Sequence, residues 1–188
     1  MKYALISVYD KENIVEFAKN LENLGYGIIS TSKTANLLKE NNINVKEISE
    51  ITNFPEILNG RVKTLHPLIF GSLLADRENE NHKKEIEKFK LKNIEIVVVN
   101  LYPFEKIISG KHKIDEAIEN IDIGGVSLIR ASAKNYKNII TVTDKNDYEE
   151  VIEKIKNNEN TIDFRRNLAI KAFAYVANYD IAIYNYFS

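Results

Sequence analysis

Residues 1–48 read MKYALISVYDKENIVEFAKNLENLGYGIISTSKTANLLKENNINVKEI, and the fold follows from their changing period. Tyr3 to Val8 is an apolar run of strand length. Asp10 is placed to cap a helix from Lys11 to Leu24, on which Ile14, Val15, Phe17, Ala18 and Leu21 share a face. Gly25 is placed to end that helix. Tyr26 to Ile29 reads as a second strand, Ser30 to Thr34 as a polar turn, Ala35 to Glu40 as a second helix and Val45 to Ile48 as a third strand. Strand, helix, strand and helix at this spacing mean right-handed βαβ units and a parallel sheet.

Working outward, residues 51–74 hold Pro55 and Pro67 and read mostly as loop, with a short strand around Ile69 to Leu74. Asp76 to Lys92 is charge-rich and reads as a solvated helix. Ile94 to Val99, β-branched and nearly all apolar, has the pattern of a strand buried on both faces. Asn100 to Phe104 breaks it. Helices are expected at Ile114 to Ile121 and from Gly124-Gly125 through Lys134, then a strand at Ile139 to Val142. A helix capped by Asp144 should run to Asn157, and a long helix from Thr161 to Phe187 carries Phe173, Tyr175, Tyr179, Tyr184 and Tyr186 on an aromatic side. The expected organisation is an α/β domain over residues 1–146 and a C-terminal helical extension over 147–188, packed on the core or on a second copy.

Composition narrows the function. The 188 residues include 26 Lys plus Arg against 27 Asp plus Glu, a formal net charge of −1, with 44% apolar and 28% charged residues. That is too apolar and too neutral for a disordered chain, and it lacks the positive excess of a protein that coats nucleic acid. No stretch approaches the ~20 apolar residues of a membrane span. Met1-Lys2 leads into a short strand and then Asp10, Lys11 and Glu12, so no signal segment is read and a cytoplasmic protein is expected. Having no cysteine excludes disulfides, thiolate zinc sites and Cys nucleophiles. His66, His82 and His112 lack metal-ligand spacing, and there is no Walker loop, dinucleotide fingerprint or Gly-x-Ser-x-Gly elbow. Neither metal nor cofactor is expected.

Four polar clusters remain, each after an expected strand or before an expected helix, where ligands bind in open α/β sheets. Ser7, Asp10 and Lys11 follow the first strand. Ser30-Thr31-Ser32-Lys33-Thr34 follows the second; its hydroxyls, ammonium and helix N-terminal amides suit a phosphate, although capping is the commoner use of such residues. Gly60-Arg61-Val62-Lys63-Thr64-Leu65-His66-Pro67 places one of five arginines two residues from a lysine. If the segment is extended, both face one side, where an anion relieves their repulsion; a solvated loop is the alternative. The fourth cluster joins Asn100-Leu101-Tyr102-Pro103-Phe104, Asp122-Ile123-Gly124-Gly125 and Arg130-Ala131-Ser132-Ala133-Lys134-Asn135. The plain readings there are packing for Tyr102, an N-cap for Asp122 and a helix-dipole partner for Lys134.

Together with Ser7-Val8-Tyr9-Asp10-Lys11 and Arg61 to Pro67, these segments resemble the IMP cyclohydrolase domain, the N-terminal half of the AICAR transformylase/IMP cyclohydrolase family. The resemblance covers nearly the whole chain in the same order. It implies a methylglyoxal-synthase-like α/β fold and closure of 5-formamidoimidazole-4-carboxamide ribotide (FAICAR) to IMP with loss of water, without a cofactor. It implies catalytic positions at Lys63, Tyr102, Asp122 and Lys134. It implies substrate-binding positions at Ser7, Lys11, Thr31, Ser32, Lys33, Thr34, Arg61, Thr64, Gly124 and Gly125, with the two glycine amides on the base. It also implies a homodimer and an AICAR transformylase domain, covalently linked or separate, as partners; nothing after Ser188 houses that domain, so the chain reads as a stand-alone cyclohydrolase or a portion of a longer one.

Two departures from the family pattern bear on affinity. Ser32 and Lys33 stand where the phosphate loop has two glycines, and would be strained if those positions needed positive φ. Tyr9 stands where a small hydroxyl residue is usual. Two other readings share the fold: a regulatory module that binds a phosphorylated ligand, which needs the phosphate clusters but not the catalytic quartet, and methylglyoxal synthase, whose Asp and His contexts are not matched by His66 or His112.

Overall fold

Alternation along the first strand sorts its side chains onto two cores. In the computed structural model, which describes residues 1–188, β1 (Lys2–Val8) sends Ala4, Ile6 and Val8 to one face and Tyr3 and Leu5 to the other. It is the central strand of one parallel sheet with β2 (Tyr26–Ser30), β3 (Val45–Glu47), β4 (Asn93–Asn100) and β5 (Ile140–Val142), ordered β3-β2-β1-β4-β5. α1 (Ile14–Asn23) and α2 (Ser32–Glu40) carry the chain outward from β1 to β3. α3 (Ile48–Thr52), α4 (Pro67–Leu74) and α5 (Glu80–Lys88) bring it back across β1 to β4. α6 (Phe104–Ile108), α7 (Ile114–Glu119) and α8 (Gly124–Lys134) lead to β5, and α9 (Tyr148–Lys156) and α10 (Ile162–Phe187) complete the chain. The winding therefore reverses between β1 and β4.

Helices cover both faces, as the methylglyoxal-synthase-like α/β reading requires. α1, α2 and α9 pack on Ile6, Ile28, Ile96, Val98 and Val142; α4, α8 and α10 pack on Leu5, Ile29, Val97 and Val99. Residues 147–188 join both cores: the Tyr148 ring stacks on Phe17 at 4.2 Å, while Ala172, Val176 and Tyr179 of α10 are buried on the α8 side. No helix is long and apolar enough to cross a membrane.

Several local expectations change. Residues 69–74 are helical, because a mostly apolar run broken only by Gly71 and Ser72 has no clear period of its own and the local signals decide it. Pro67 occupies the first turn, and His66 Nδ1 accepts the Leu68 N–H at 3.2 Å. Helix α1 starts at Ile14, after Asn13 in the left-handed region (φ 60°). Asp10 does not cap it; its carboxylate accepts from the Glu12 N–H at 3.0 Å and pairs with Lys145. The charge-rich helix is confined to Glu80–Lys88, capped by Asn79 and followed by left-handed Lys90. The aromatic side of α10 is divided: Tyr175, Tyr179 and Tyr186 turn inward, whereas Phe173 and Tyr184 are exposed.

Leu128 on α8 is fully buried between the sheet and its neighbours. Leu128→Ala should destabilise the protein by about 2–5 kcal/mol, read from its denaturant midpoint. Lys134→Ala, an exposed change on the same helix, should stay within about 0.5 kcal/mol of wild type.

Candidate functional site

The carboxyl ends of β1, β2 and β4 open on a cavity of about 620 Å³ beside the reversal of strand order, where open α/β sheets bind ligands. Twelve of the fourteen expected site residues line it: Ser7, Lys11, Thr31, Lys33, Thr34, Arg61, Lys63, Thr64, Tyr102, Asp122, Gly124 and Gly125.

One part of the lining is built for an anion. Ser7 Oγ and Thr31 Oγ1 lie 3.1 Å apart and join the ends of β1 and β2. Thr31 holds the N-cap position of α2 but makes no side-chain cap bond, so the first-turn N–H groups lack a side-chain acceptor there. Thr34 Oγ1 donates to the Val8 carbonyl at 3.1 Å, and Lys11 Nζ donates to the Tyr9 carbonyl at 3.1 Å. Burial, and then the neighbouring Lys33, lower the Lys11 pKa, so a bound anion would relieve both ammonium groups. Ser32 and Lys33 lie in the first turn of α2, and neither has positive φ. Two non-glycine residues therefore fit here without backbone strain.

The Arg61–Lys63 segment follows three consecutive left-handed residues, Leu58, Asn59 and Gly60 (φ 55°, 54° and 88°). Gly60 also admits Glu56, whose Oε1 would lie 2.4 Å from a Cβ placed there. Each cation meets a carboxylate from the cavity wall. Lys63 Nζ is 3.8 Å from Glu56 Oε1, and Arg61 makes a two-pronged pair with Glu119. The Arg61 pair is solvent-exposed and therefore weak.

Asp122 both serves a helix start and faces the cavity. Its Oδ1 accepts the Gly125 N–H at 2.7 Å, which serves the start of α8, and its carboxylate lines the cavity. That bond corrects one expectation, since the Gly125 amide is already taken and is not free for a ligand. The glycine pair is also required by packing. A Cβ on Gly125 would lie 2.6 Å from Asp122 Oδ2 and 2.7 Å from Leu101 Cδ2; one on Gly124 would lie 2.8 Å from Thr64 Oγ1. Burial raises the Asp122 pKa, opposed by the Gly125 N–H and then by Lys63. Burial likewise raises Tyr102, with Asp122, Tyr9 and Glu56 adding to it. The Tyr9 and Tyr102 rings lie 5.2 Å apart.

Two expected residues lie elsewhere. Ser32 faces a smaller pocket and donates to Glu56. Lys134 is exposed in the last turn of α8. Eleven residues of helix put it about 15 Å along the axis from the cavity end at Gly124. Within one chain it complements the helix dipole and does not join Lys63, Tyr102 and Asp122.

The structure gives places at the site to residues that were not among the expected site residues. Asn100 Oδ1 accepts the Tyr9 and Asp10 N–H groups at 2.6 and 2.9 Å, and Nδ2 donates to the Asp10 carbonyl at 3.0 Å. It thereby fixes the Ser7–Lys11 loop to the end of β4. It heads the fourth polar cluster of the sequence, where no role of its own is assigned to it. Glu56, Glu119, Ile118, Ile121 and Ile123 also line the cavity; they sit in segments whose sequence reads as ordinary loop and surface helix.

Residues 13–127 match the family described as MGS-like domain, and residues 132–188 match the AICARFT/IMPCHase bienzyme family. The chain belongs to the MGS-like domain family. It is 58% identical over 98% of its length to the bifunctional purine biosynthesis protein PurH of Thermoanaerobacter sp., and 50% identical over all of it to PurH of Clostridioides difficile. It spans 37% of the length of each. A solved structure described as the crystal structure of ForH superposes with a TM-score of 0.86 at 31% identity, covering 100% of this chain and 99% of that one.

Because Asp122 is held above its ordinary value, its ionisation opposes folding, and this contribution to stability falls as pH rises between 3.8 and the raised value. Asp122→Asn keeps an oxygen for the Gly125 N–H. It should unfold at a higher temperature than wild type at pH 7, with the gap closing below pH ~4, as followed by thermal melts across pH.

Proposed function

We propose that this cavity binds FAICAR and closes it to IMP, as the purine-biosynthetic PurH relatives suggest. The observation that carries the reading is the convergence of Lys63, Tyr102 and Asp122, from three distant segments, in one cavity with a hydroxyl and ammonium cluster suited to a phosphate. In this reading the phosphate meets Ser7, Lys11, Thr31, Lys33 and Thr34 near the α2 N-terminus. Ile118, Ile121 and Ile123 offer the heterocycle an apolar wall.

The reaction asks for groups of these kinds. The carboxamide nitrogen attacks the formyl carbon, and a C–N bond forms as that nitrogen gives up a proton. The formyl oxygen becomes an alkoxide and is protonated. The resulting hydroxyl takes a second proton, balanced by the one that the formamide nitrogen gives up, and leaves as water as the C–O bond breaks. Asp122, made more basic by burial, takes the carboxamide proton. Lys63 and Tyr102, the latter kept protonated by its raised pKa, donate to the developing oxyanion. No step needs a metal or redox group.

Lys134 joins this scheme only if a second copy of the chain brings it to the cavity, in keeping with a homodimer. A loss of rate in Lys134→Ala at unchanged stability would be the mark of such a shared site. The bienzyme-family match over residues 132–188 and the length of the relatives favour an AICAR transformylase partner.

The test is the ultraviolet change as FAICAR closes. Wild type should turn over, while Lys63→Ala and Asp122→Asn should each lose at least about 100-fold in kcat. Lys11→Ala should mainly raise KM, by about tenfold for a loss of roughly 1.4 kcal/mol of binding. Binding of phosphorylated ligands without turnover would favour a regulatory module, and methylglyoxal from dihydroxyacetone phosphate would favour the synthase.

A further inference from the structure

We propose that Tyr175 and Tyr179, one turn apart on α10, are positioning residues that hold the main-chain segments bearing Tyr102 and Asp122 at the separation the reaction uses. The inference rests on the function proposed above. Tyr175 Oη accepts the Leu101 N–H at 3.0 Å, immediately before Tyr102. Tyr179 Oη accepts the Asp122 N–H at 2.8 Å and donates to the Asn120 carbonyl at 3.2 Å. Neither the Leu101 nor the Asp122 amide has a main-chain acceptor. Leu101 lies just beyond the end of β4, and Asp122 lies between α7 and α8, so neither amide belongs to the sheet ladder or to a helix, although the Asn120 and Ile121 amides bond back to α7 and the Asp122 carboxylate to α8.

Both tyrosines lie outside the cavity lining, so their action is indirect. A rise of about 6 Å separates residues four apart on a helix, and α10 is itself fixed. It packs on α8 and β5, and Lys171 pairs with Asp144 at 2.7 Å and Asp147 at 2.9 Å. The helix thus serves as a ruler between two loops that approach the cavity from different parts of the chain. Packing alone would be met by phenylalanine, and a buried hydroxyl is unfavourable unless bonded, so the hydroxyls have a role that packing does not supply. Burial pushes the Tyr179 phenol up to about 12, which keeps the proton that it donates to Asn120.

The experiment uses Tyr175→Phe and Tyr179→Phe, which retain the rings. Amide hydrogen exchange is read first, since it needs no substrate. Leu101 in Tyr175→Phe and Asp122 in Tyr179→Phe should each exchange at least tenfold faster, with core-strand amides unchanged. In FAICAR turnover, each variant should lose about tenfold in kcat with KM within twofold. The loss from Tyr179→Phe should vanish in an Asp122→Asn background and persist in Tyr102→Phe; that from Tyr175→Phe should show the opposite pattern. Unchanged exchange at both amides, unchanged kcat, or losses of the same size in every background would overturn the proposal. If wild type closes no FAICAR, the proposed reaction falls, whereas the tether itself is still judged by exchange.

Discussion

The site depends on a reversal of winding. From β1 the chain builds outward through β2 to β3, returns across β1, and builds the other way through β4 to β5. The connections leaving β1 and β4 therefore diverge, and the carboxyl ends of two adjacent strands are left without a crossover above them. The apolar alternation of β1 and β4 closes both sheet faces, so the opening at this rim is lined by the loops and helix starts that leave the strands. These are Ser7 to Lys11, Asn100 to Tyr102 and, from β2, Thr31 to Thr34. Chemistry-bearing residues gather here because the topology leaves the space, and Asn100 keeps the first two segments in register with three hydrogen bonds.

Charge within the opening is balanced in a way that favours exchange for a ligand. Lys11 and Lys33 repel across a partly buried wall, and Arg61 and Lys63 meet only surface or distant carboxylates. Such pairs contribute little in water, so a multiply charged phosphate has little to displace. Asp122 is the counterweight: buried and hydrogen-bonded, it is held less acidic than usual by its surroundings. Cations gathered at one part of a cavity and a basic carboxylate at another suit a ligand that is anionic at one end and gives up a proton at the other.

Much of this was legible in the residues. The βαβ start, the doubly buried fourth strand and four polar clusters at strand ends follow from period and turn chemistry, and all but two expected site residues reach one cavity. The misses have physical causes. The run Leu68 to Leu74 is mostly apolar, broken only by Gly71 and Ser72, so it shows no clear period, and Pro67 and the His66 cap are what reveal a helix. Asp10 has the chemistry of a cap, but Lys145, 135 residues away, competes for it. Lys134 belongs to the motif by sequence, yet the helix that begins at the cavity carries it to the other end. Tyr175 and Tyr179 read as core aromatics, since no local pattern shows that a buried hydroxyl reaches a loop amide more than 50 residues away.

The most direct measurement is a crystal structure with IMP bound. The phosphate should lie on Ser7, Lys11, Thr31 and Thr34 at the α2 N-terminus, with the purine ring within hydrogen-bond reach of Lys63, Tyr102 and Asp122. A nucleotide bound with its phosphate away from that corner, or with its base out of reach of all three groups, would contradict the proposed function.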